Sequence, residues 1–441
     1  MTIKEKLKVT NNQTVVNIIG AGLAGCETAL RLSKNGIKVR LYECKTKVKS
    51  PAHNSNDLGE LVCSNSLKSD ALSTASGLLK AELRLLGCSL IEIADQSKVP
   101  AGSALAVDRD KFSQEITRRI KSDKNIELIE KLCVDFDENE YTVIATGPLT
   151  MDRLNDAISN RLGIGLHFYD AAAPIIDGNY IDYSRVFTAD RWGKGDGDYL
   201  NCPMTKDEYN EFYDALVSAE CAVLHEFEKS DVFEGCMPVE IMAKRGRETL
   251  LFGPLRPVGF FDQNGKRHYA VVQLRRENTE GSSFNIVGFQ TNLKFSEQKR
   301  VFSLIPALKN AEFLRYGVMH RNTFINAPKT IDCHFRTLKY PKVFIAGQLS
   351  GVEGYVESIM SGLVCADAIT AIIKGNPLPK YPTDTIIGAL CKYLETPNED
   401  FEPMNANFGL LPPPQTRIKD KNAKKLFLSE RSIKSLQNAG F

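Results

Sequence analysis

The chain has 441 residues, of which 43% are hydrophobic and 25% charged, and this composition is typical of a globular protein with two or three domains. Its 56 basic and 54 acidic residues give a formal net charge of +2, which excludes a strongly basic global field, so any nucleic-acid contact must use a local patch. The polar start lacks a signal-peptide pattern and no apolar run approaches the ~18 residues of a membrane span, so we expect a cytoplasmic protein.

The first predicted element is a strand, a tight turn and a helix. Residues 15–19 form a β-branched run that ends in the pattern Gly20-x-Gly22-x-x-Gly25, and residues 26–33 have helical spacing. Gly20 permits the tight turn, Gly22 lets backbone approach a pyrophosphate, and Gly25 lets the helix pack closely on the strand. The phosphate would then lie at the helix N-terminus.

A second strand, residues 37–42, ends at Glu43, roughly 20 residues beyond the glycines. A carboxylate at this position can accept hydrogen bonds from ribose hydroxyls and would repel a 2′-phosphate. Together with the glycine turn, it predicts a βαβ unit that binds a dinucleotide.

Two later segments are predicted to return to the same parallel sheet. Residues 141–148 and 342–347 are apolar strands that end in glycine, and a helix is predicted over 356–369. The loop before that helix contributes candidate cofactor-binding residues, namely Gly347, Gly351, Gly354 and Tyr355. We therefore predict an α/β fold with a discontinuous Rossmann-type domain built from both chain ends, residues 1–164 and 325–441.

Between these two parts, residues 165–324 are predicted to form an inserted α/β domain. Strands are expected over 248–252 and 269–274, and a long helix over 207–227. A basic helix is expected after the proline run at 412–414.

Two cysteine-containing segments are candidates for chemistry. The eleven cysteines are scattered and form no C-x-x-C pair, which argues against a disulfide framework and a zinc site, so no metal is expected. Cys63 lies in a polar segment where the βαβ domain would continue, and Cys236 precedes a cluster made by Lys244, Arg245 and Arg247. Because a cationic neighbourhood stabilises a thiolate, Cys236 is a candidate nucleophile.

At this point the sequence resembles the folate- and FAD-dependent uracil-5-methyltransferases that modify tRNA, which are relatives of the larger wobble-uridine-modifying flavoproteins. The resemblance covers nearly the whole chain. It rests on IGAGLAG (19–25), ELVCSNSL (60–67), VPAGSALAVDR (99–109), VIATGPLT (143–150), FYDAAAPI (168–175), DYLNCPMTK (198–206), FEGCMPVE (233–240) and AGQLSGVEGYVES (346–358).

The resemblance implies that Cys236 is the nucleophile that adds to uracil C6 and that Cys63 is a second catalytic cysteine, a base or a guard of the first thiol. It implies FAD bound by the Rossmann domain, 5,10-methylenetetrahydrofolate as carbon donor, and NADPH or NADH as reductant, because a methylene carries two electrons fewer than a methyl group. The segment from Gly351 to Tyr355 would help to form the flavin and folate site. The product would be 5-methyluridine, most directly in the T-loop of tRNA.

RNA contacts would need basic groups near the target pocket and a base brought out of its stack. The candidates are Lys244, Arg245, Arg247, Arg275 and Arg276, each of which has an ordinary solvated turn as its alternative.

Other functions stay open at this point. The same chemistry could act on a uridine of 23S ribosomal RNA. A small-molecule NAD(P)H flavin oxidoreductase and a non-catalytic flavoprotein fit the Rossmann pattern but leave the cysteine motifs unexplained. A wobble-uridine enzyme would be expected to continue into a large helical region.

Overall fold

A computed structural model describes residues 14–50, 52–162, 165–191, 197–222, 237–261, 265–399 and 401–441. Over these residues the strands are β1 (Val15–Ile19), β2 (Lys38–Glu43), β3 (Ser66–Ser69), β4 (Lys98–Val99), β5 (Ala104–Val107), β6 (Ile126–Glu130), β7 (Thr142–Ile144), β8 (Gly165–Ala171), β9 (Ile175–Asp177), β10 (Phe187–Thr188), β11 (Leu200–Met204), β12 (Ala270–Arg276), β13 (Ser283–Ile286), β14 (Phe313–Arg315), β15 (Met319–Ile325) and β16 (Val343–Ile345). The helices are α1 (Leu23–Lys34), α2 (Ala75–Leu85), α3 (Ser89–Gln96), α4 (Arg109–Ser122), α5 (Asp152–Leu162), α6 (Lys206–Ser218), α7 (Val239–Lys244), α8 (Thr249–Phe252), α9 (Phe295–Phe302), α10 (Ala327–Thr330), α11 (Tyr355–Lys374), α12 (Ile386–Glu395) and α13 (Lys421–Asn438).

The central sheet has the strand order β16-β7-β1-β2-β6, and every neighbouring pair is parallel. The chain adds β2 and β6 on one side of β1 and β7 and β16 on the other, so the order of addition reverses beside β1. In open α/β sheets such a reversal creates a crevice at the carboxyl ends of the strands. Since β1 and β16 lie more than 300 residues apart, the prediction of a Rossmann-type sheet built from both chain ends is confirmed.

One helix corrects the expectation that no segment approaches the length of a membrane span. Among the described residues, α11 is 20 residues long, has a mean hydropathy of 1.7 over its most apolar window, and is long and apolar enough to cross a membrane. In the fold, however, 83% of that window is buried inside the protein, where α11 packs against α1. It is the core helix of the Rossmann half.

The inserted segment begins and ends in a two-stranded antiparallel sheet. Gly165 of β8 pairs with Ile325 of β15, and Ala171 pairs with Met319. Beyond this pair, the inserted segment forms an antiparallel sheet of order β10-β11-β12-β13-β9-β14.

Two main hydrophobic cores follow this division of the chain. The larger core takes its buried residues from 16–158 and 324–436, and the smaller takes them from 176–311. The smaller core covers one face of the inserted sheet, with α6 and α9 against it. The predicted boundaries at 164 and 325 fall at the two-stranded sheet between these cores.

Two predicted elements of the inserted segment were wrong. Residues 249–252 form the single helical turn α8 instead of a strand, with a backbone turn from Thr249 N–H to the Gly246 carbonyl before it and Gly253 after it. In this turn the Leu250 side chain is buried, whereas the Phe252 side chain is 79% exposed. Only part of the apolar run therefore packs into the core. The helix predicted over 207–227 ends at Ser218, where the chain becomes extended at Ala219.

Candidate active site

The glycine turn after β1 is formed by three residues with different steric demands. Gly20 has φ +102°, and a Cβ there would come within 2.5 Å of the Ala145 carbonyl oxygen. A Cβ at Gly25 would meet the Gly20 carbonyl oxygen at 1.9 Å, so this residue lets α1 lie directly on the turn. At Gly22 nothing lies within 4 Å, and its backbone opens onto the cleft.

The N-terminus of α1 faces this open space. Gly22 is the N-cap and provides no side chain for the N–H groups of the first turn. These donors and the positive end of the helix dipole form a ready anion site. The observed cradle therefore fits the pyrophosphate of a dinucleotide.

Glu43 connects the ends of β1 and β2. Its Oε2 accepts a hydrogen bond from the Ala21 N–H (2.9 Å), and its Oε1 accepts from the N–H groups of Cys44 (2.7 Å) and Lys45 (2.9 Å). A carboxylate has about four acceptor positions, so one stays available on Oε2 for a ribose hydroxyl. Glu43 thus also shapes the turn, a role that the sequence did not predict.

The cleft above these residues lies at the carboxyl ends of β1, β2, β7 and β16. It is open to solvent, and the space free of protein atoms in and in front of it is about 1120 Å³. Of the predicted cofactor residues, it is lined by Gly20, Gly22, Glu43, Gly347 and Tyr355. A cleft at the reversal point of a parallel sheet is the usual place for a dinucleotide.

Gly351 and Gly354, which were also predicted to bind the cofactor, lie beside the lining of the cleft and are not part of it. Gly351, at φ +93°, packs against Phe401, where a Cβ would come within 2.6 Å of the ring. Gly354, at φ +121°, is the N-cap of α11, where a Cβ would meet Glu357. Both shape the loop that carries Tyr355.

Tyr355 joins the cleft to the loop that contains Cys63. Its hydroxyl oxygen accepts hydrogen bonds from the backbone N–H groups of Cys63 (2.7 Å) and Ser64 (3.2 Å). Burial raises the pKa of the Tyr355 phenol, with a further contribution from Cys63, so the phenol stays neutral at physiological pH. The half-buried Cys63 is thereby held at the edge of the cofactor cleft.

Two arginines hold the backbone on either side of Cys63. Arg109 donates to the carbonyls of Leu61 and Cys63 and pairs with Glu277 of the inserted segment at 2.7 Å. Arg315 donates to the carbonyl of Val62. Burial lowers the pKa of Arg315, and the charge of Arg109 lowers it further. The sequence did not identify these two arginines as site residues, although Arg109 stands in one of the quoted motifs.

The inserted sheet holds the same loop from the opposite side. The Arg275 Nε donates to the Asn65 side-chain oxygen (2.8 Å), and its Nη2 donates to the Ser64 hydroxyl (2.7 Å). The Asn65 amide in turn donates to the carbonyls of Val107 (3.0 Å) and Arg276 (2.8 Å). Arg275 is only 7% exposed, so its position does not support the predicted contact with RNA. It is a buried support of the Cys63 loop.

The other predicted RNA contacts lie at the surface or near it. Arg276 is half-buried, while Lys244 and Arg245 are exposed. Arg247 is also exposed, but its guanidinium already bonds Asp214 and lies over a tyrosine ring at 4.4 Å. Contact between these four residues and RNA stays a prediction.

Cys236 lies outside the described residues, which resume at Met237. The chain after it is fixed to the loop that follows β13, because Val239 N–H donates to the Gln290 carbonyl (2.7 Å). The buried Glu240 carboxylate accepts from the Thr291 hydroxyl and the Asn292 N–H, both at 2.8 Å. Burial raises the pKa of Glu240.

The described residues contain no group of three or more histidine, cysteine and acidic side chains that could hold a metal ion. The Cys63 loop and the guanidinium groups of Arg109 and Arg315 lie next to Tyr355, which lines the cleft.

Comparisons with known proteins agree with this arrangement. The family model described as glucose inhibited division protein A (GIDA) matches residues 15–377. The solved structure of Aquifex aeolicus GidA in its form II crystal superposes with a TM-score of 0.70 at 17% identity, over 97% of this chain and 73% of that one. At this identity the superposition shows the shared fold alone.

Curated relatives are much closer in sequence. A protein of Acetivibrio thermocellus named methylenetetrahydrofolate--tRNA-(uracil-5-)-methyltransferase TrmFO is 51% identical over 425 residues, which cover 96% of this chain and 98% of that protein. A protein of the same name from Staphylococcus aureus is 50% identical over 427 residues, with the same two coverages. The chain therefore belongs to the GidA family and, within it, to the group of proteins that carry the name TrmFO.

Proposed function

We propose that this protein is a folate- and FAD-dependent methyltransferase that forms 5-methyluridine in RNA, most directly in the T-loop of tRNA. The observation that carries the proposal is the hydrogen bonding of Tyr355, which lines the dinucleotide cleft and holds the backbone of Cys63. A thiol-bearing loop at the wall of a cofactor cleft suits a reaction that needs both a redox cofactor and a sulfur group. The names of the relatives support this assignment.

FAD would lie in the cleft with its pyrophosphate at the N-terminus of α1, where Gly22 leaves open space. Glu43 would accept a hydrogen bond from the adenosine ribose. The bound flavin, reduced by NADPH or NADH, supplies the two electrons that convert a folate-derived methylene into a methyl group.

The thiols supply the remaining chemistry. Uracil C5 becomes nucleophilic when a thiolate adds to C6, and the resemblance assigns that addition to Cys236. The C5 proton must then leave, and we assign its acceptance to the sulfur of Cys63. The guanidinium groups of Arg109 and Arg315, which bond the backbone beside Cys63, favour a thiolate there.

The RNA substrate distinguishes two versions of the proposal. A T-loop uridine of tRNA and a uridine of 23S ribosomal RNA need the same chemistry at the ring, so only the RNA-facing surface would differ. With either substrate, we expect the protein to act in the cytoplasm.

The test incubates purified protein, 5,10-methylenetetrahydrofolate and NADPH with unmodified tRNA or with 23S ribosomal RNA fragments, and maps 5-methyluridine by mass spectrometry. We expect product at one T-loop position, and loss of product in Cys63→Ala and Cys236→Ala. The matched control is Cys333→Ser, a half-buried cysteine beside His334. Full activity of both alanine variants would contradict the proposal, and product only in the ribosomal fragment would replace tRNA as the substrate.

A further inference from the structure

The inserted sheet has one apolar and one polar face. Side chains alternate along a strand, and in β12 the residues Ala270, Val272 and Leu274 enter the hydrophobic core. Gln273 and Arg275 therefore point to the other face. Their register partners are Asn201 on β11 and Asn285 on β13, so four polar side chains share this face.

The polar face links the Cys63 loop to a neighbouring surface. Arg275 contacts the Cys63 loop, and Gln273 accepts a hydrogen bond from the Nε of Arg191 at 3.2 Å. Two residues of a strand span about 7 Å, so these two contacts lie close together. The backbone segment that Arg191 contacts therefore lies next to the candidate active site.

Arg191 holds a loop rich in aromatic and basic residues. Its guanidinium lies 4.8 Å from the centre of the Phe260 ring and donates to the carbonyls of Arg256 (2.6 Å) and Val258 (3.0 Å). Burial lowers the pKa of Arg191, with a further contribution from the charge of Arg256. This network fixes the chain at residues 256–260, after α8.

The residues on either side of this network in the sequence expose two large aromatic side chains. Phe252 is 79% exposed and Phe261 is 49% exposed, with the Arg267 guanidinium 5.7 Å from the Phe261 ring. Residues 244–261 and 265–269, which we call the basic–aromatic loop, contain six Lys or Arg residues and one acidic residue. In a chain with a net charge of +2 this is a strong local excess, of the kind that nucleic-acid surfaces need.

We propose that the basic–aromatic loop binds the unpaired nucleotides that flank the target uridine. Bases would stack on Phe252 and Phe261, and phosphates would meet Arg256, Lys266 and Arg267. Aromatic platforms interleaved with cations are the usual means of binding single-stranded nucleic acid without reading its sequence. This proposal rests on the proposed function, and it adds the surface that holds RNA while the uridine is out of its stack.

The test measures binding of an unmodified T-arm hairpin by fluorescence anisotropy, using the full-length flavoprotein. The double variant Phe252→Ala/Phe261→Ala should raise the dissociation constant about tenfold or more, because each stacked base contributes substantially to affinity. Arg256→Ala should reduce the salt dependence of binding by about one phosphate contact. The matched control is Tyr180→Ala, an aromatic residue of the same domain that is 50% exposed.

The outcomes separate this proposal from the function on which it rests. NADPH-driven flavin reduction without RNA should be unchanged in all variants. This control establishes that the variants are folded and contain FAD. Suppose that the wild type methylates the hairpin while the double variant keeps an unchanged dissociation constant and KM for it. This result would overturn RNA binding by the basic–aromatic loop and leave the proposed function standing. Absence of 5-methyluridine in every RNA with the wild type would overturn the proposed function. If these variants lose binding to another protein while their RNA affinity is unchanged, the loop binds that protein and not RNA.

Discussion

The cofactor cleft and the Cys63 loop lie side by side but are assembled differently. The cleft uses backbone atoms and neighbouring residues, as in the bond from Ala21 N–H to Glu43, 22 positions away. The Cys63 loop is held by side chains from distant parts of the chain, since Tyr355 lies 292 positions from Cys63 and Arg275 lies 210 positions from Asn65. The comparison indicates that the glycine turn of the cleft depends on local sterics, whereas the Cys63 loop depends on residues that are distant in the sequence, in the Rossmann domain and in the inserted segment.

The largest expected effect is on the ion pair between the Rossmann domain and the inserted segment. Arg109→Ala leaves Glu277 buried without its partner, with a side chain only 4% exposed, and removes donors to the Cys63 loop. Breaking such a pair costs about 3–5 kcal/mol of unfolding free energy. Denaturant titration of the variant measures this loss.

The double variant Arg109→Met/Glu277→Leu should recover most of that stability, because no charge stays buried and unpaired, but it should not recover methylation. Recovery of full activity would show that the guanidinium does nothing for Cys63 beyond stabilising the fold.

The next effect concerns the cleft. Gly25→Ala puts a Cβ into the Gly20 carbonyl, so α1 must shift, at a cost of about 1–3 kcal/mol and with loss of FAD. Gly22→Ala is the matched control for packing, because no atom lies near its Cβ position. It should keep the unfolding free energy within about 1 kcal/mol while FAD content, read from absorbance, still falls. Equal stability losses in both variants would show that packing at the turn does not distinguish the two glycines.

A smaller effect is expected from the far side of the Cys63 loop. Arg275→Lys keeps the charge but loses the forked contact with Ser64 and Asn65, so kcat should fall about tenfold with FAD content unchanged. Arg276→Lys is the control, because its carbonyl and not its side chain bonds Asn65. A rise in KM for RNA alone, with kcat preserved, would restore the original interpretation of Arg275 as an RNA contact.

The smallest expected effect lies outside both regions, where α2 meets α12 and α13. Glu82 accepts from the N–H groups of Ile386 and Ile387, and burial raises the pKa of its carboxyl from 4.5 to about 7. The folded state then binds the extra proton, so the contribution of Glu82 to stability is complete below pH 4.5 and is lost as pH rises through about 7. Thermal melts between these values should show this slope in the wild type and not in Glu82→Gln. An equal slope in both proteins would assign it to another group.

The contrast between local and long-range contacts also explains which features could be predicted from the sequence. The glycine turn, Glu43 and the returning strand at 343–345 follow from local sterics and β-branched runs, and all of them took their predicted places. Arg275 was predicted as an RNA contact but is buried, because a basic residue on a strand does not reveal which loop covers it. Arg315 carried no local signal at all, since its partner carbonyl lies 253 positions away.

Short-range prediction also failed where packing decides the structure. The apolar run at 249–252 forms a helical turn that buries Leu250 in the smaller core and leaves Phe252 exposed. The role of Cys236, which lies outside the described residues, still rests on its motif.

The most direct measurement of the central claim follows the carbon atom itself. The wild-type protein is incubated with unmodified tRNA, NADPH and folate labelled with ¹³C in its methylene group, and the nucleosides are analysed by mass spectrometry. The account predicts that the new methyl group of 5-methyluridine carries the label and that none forms in Cys63→Ala. Unlabelled 5-methyluridine, or reduced nicotinamide consumed with no modified uridine in any RNA, would contradict it.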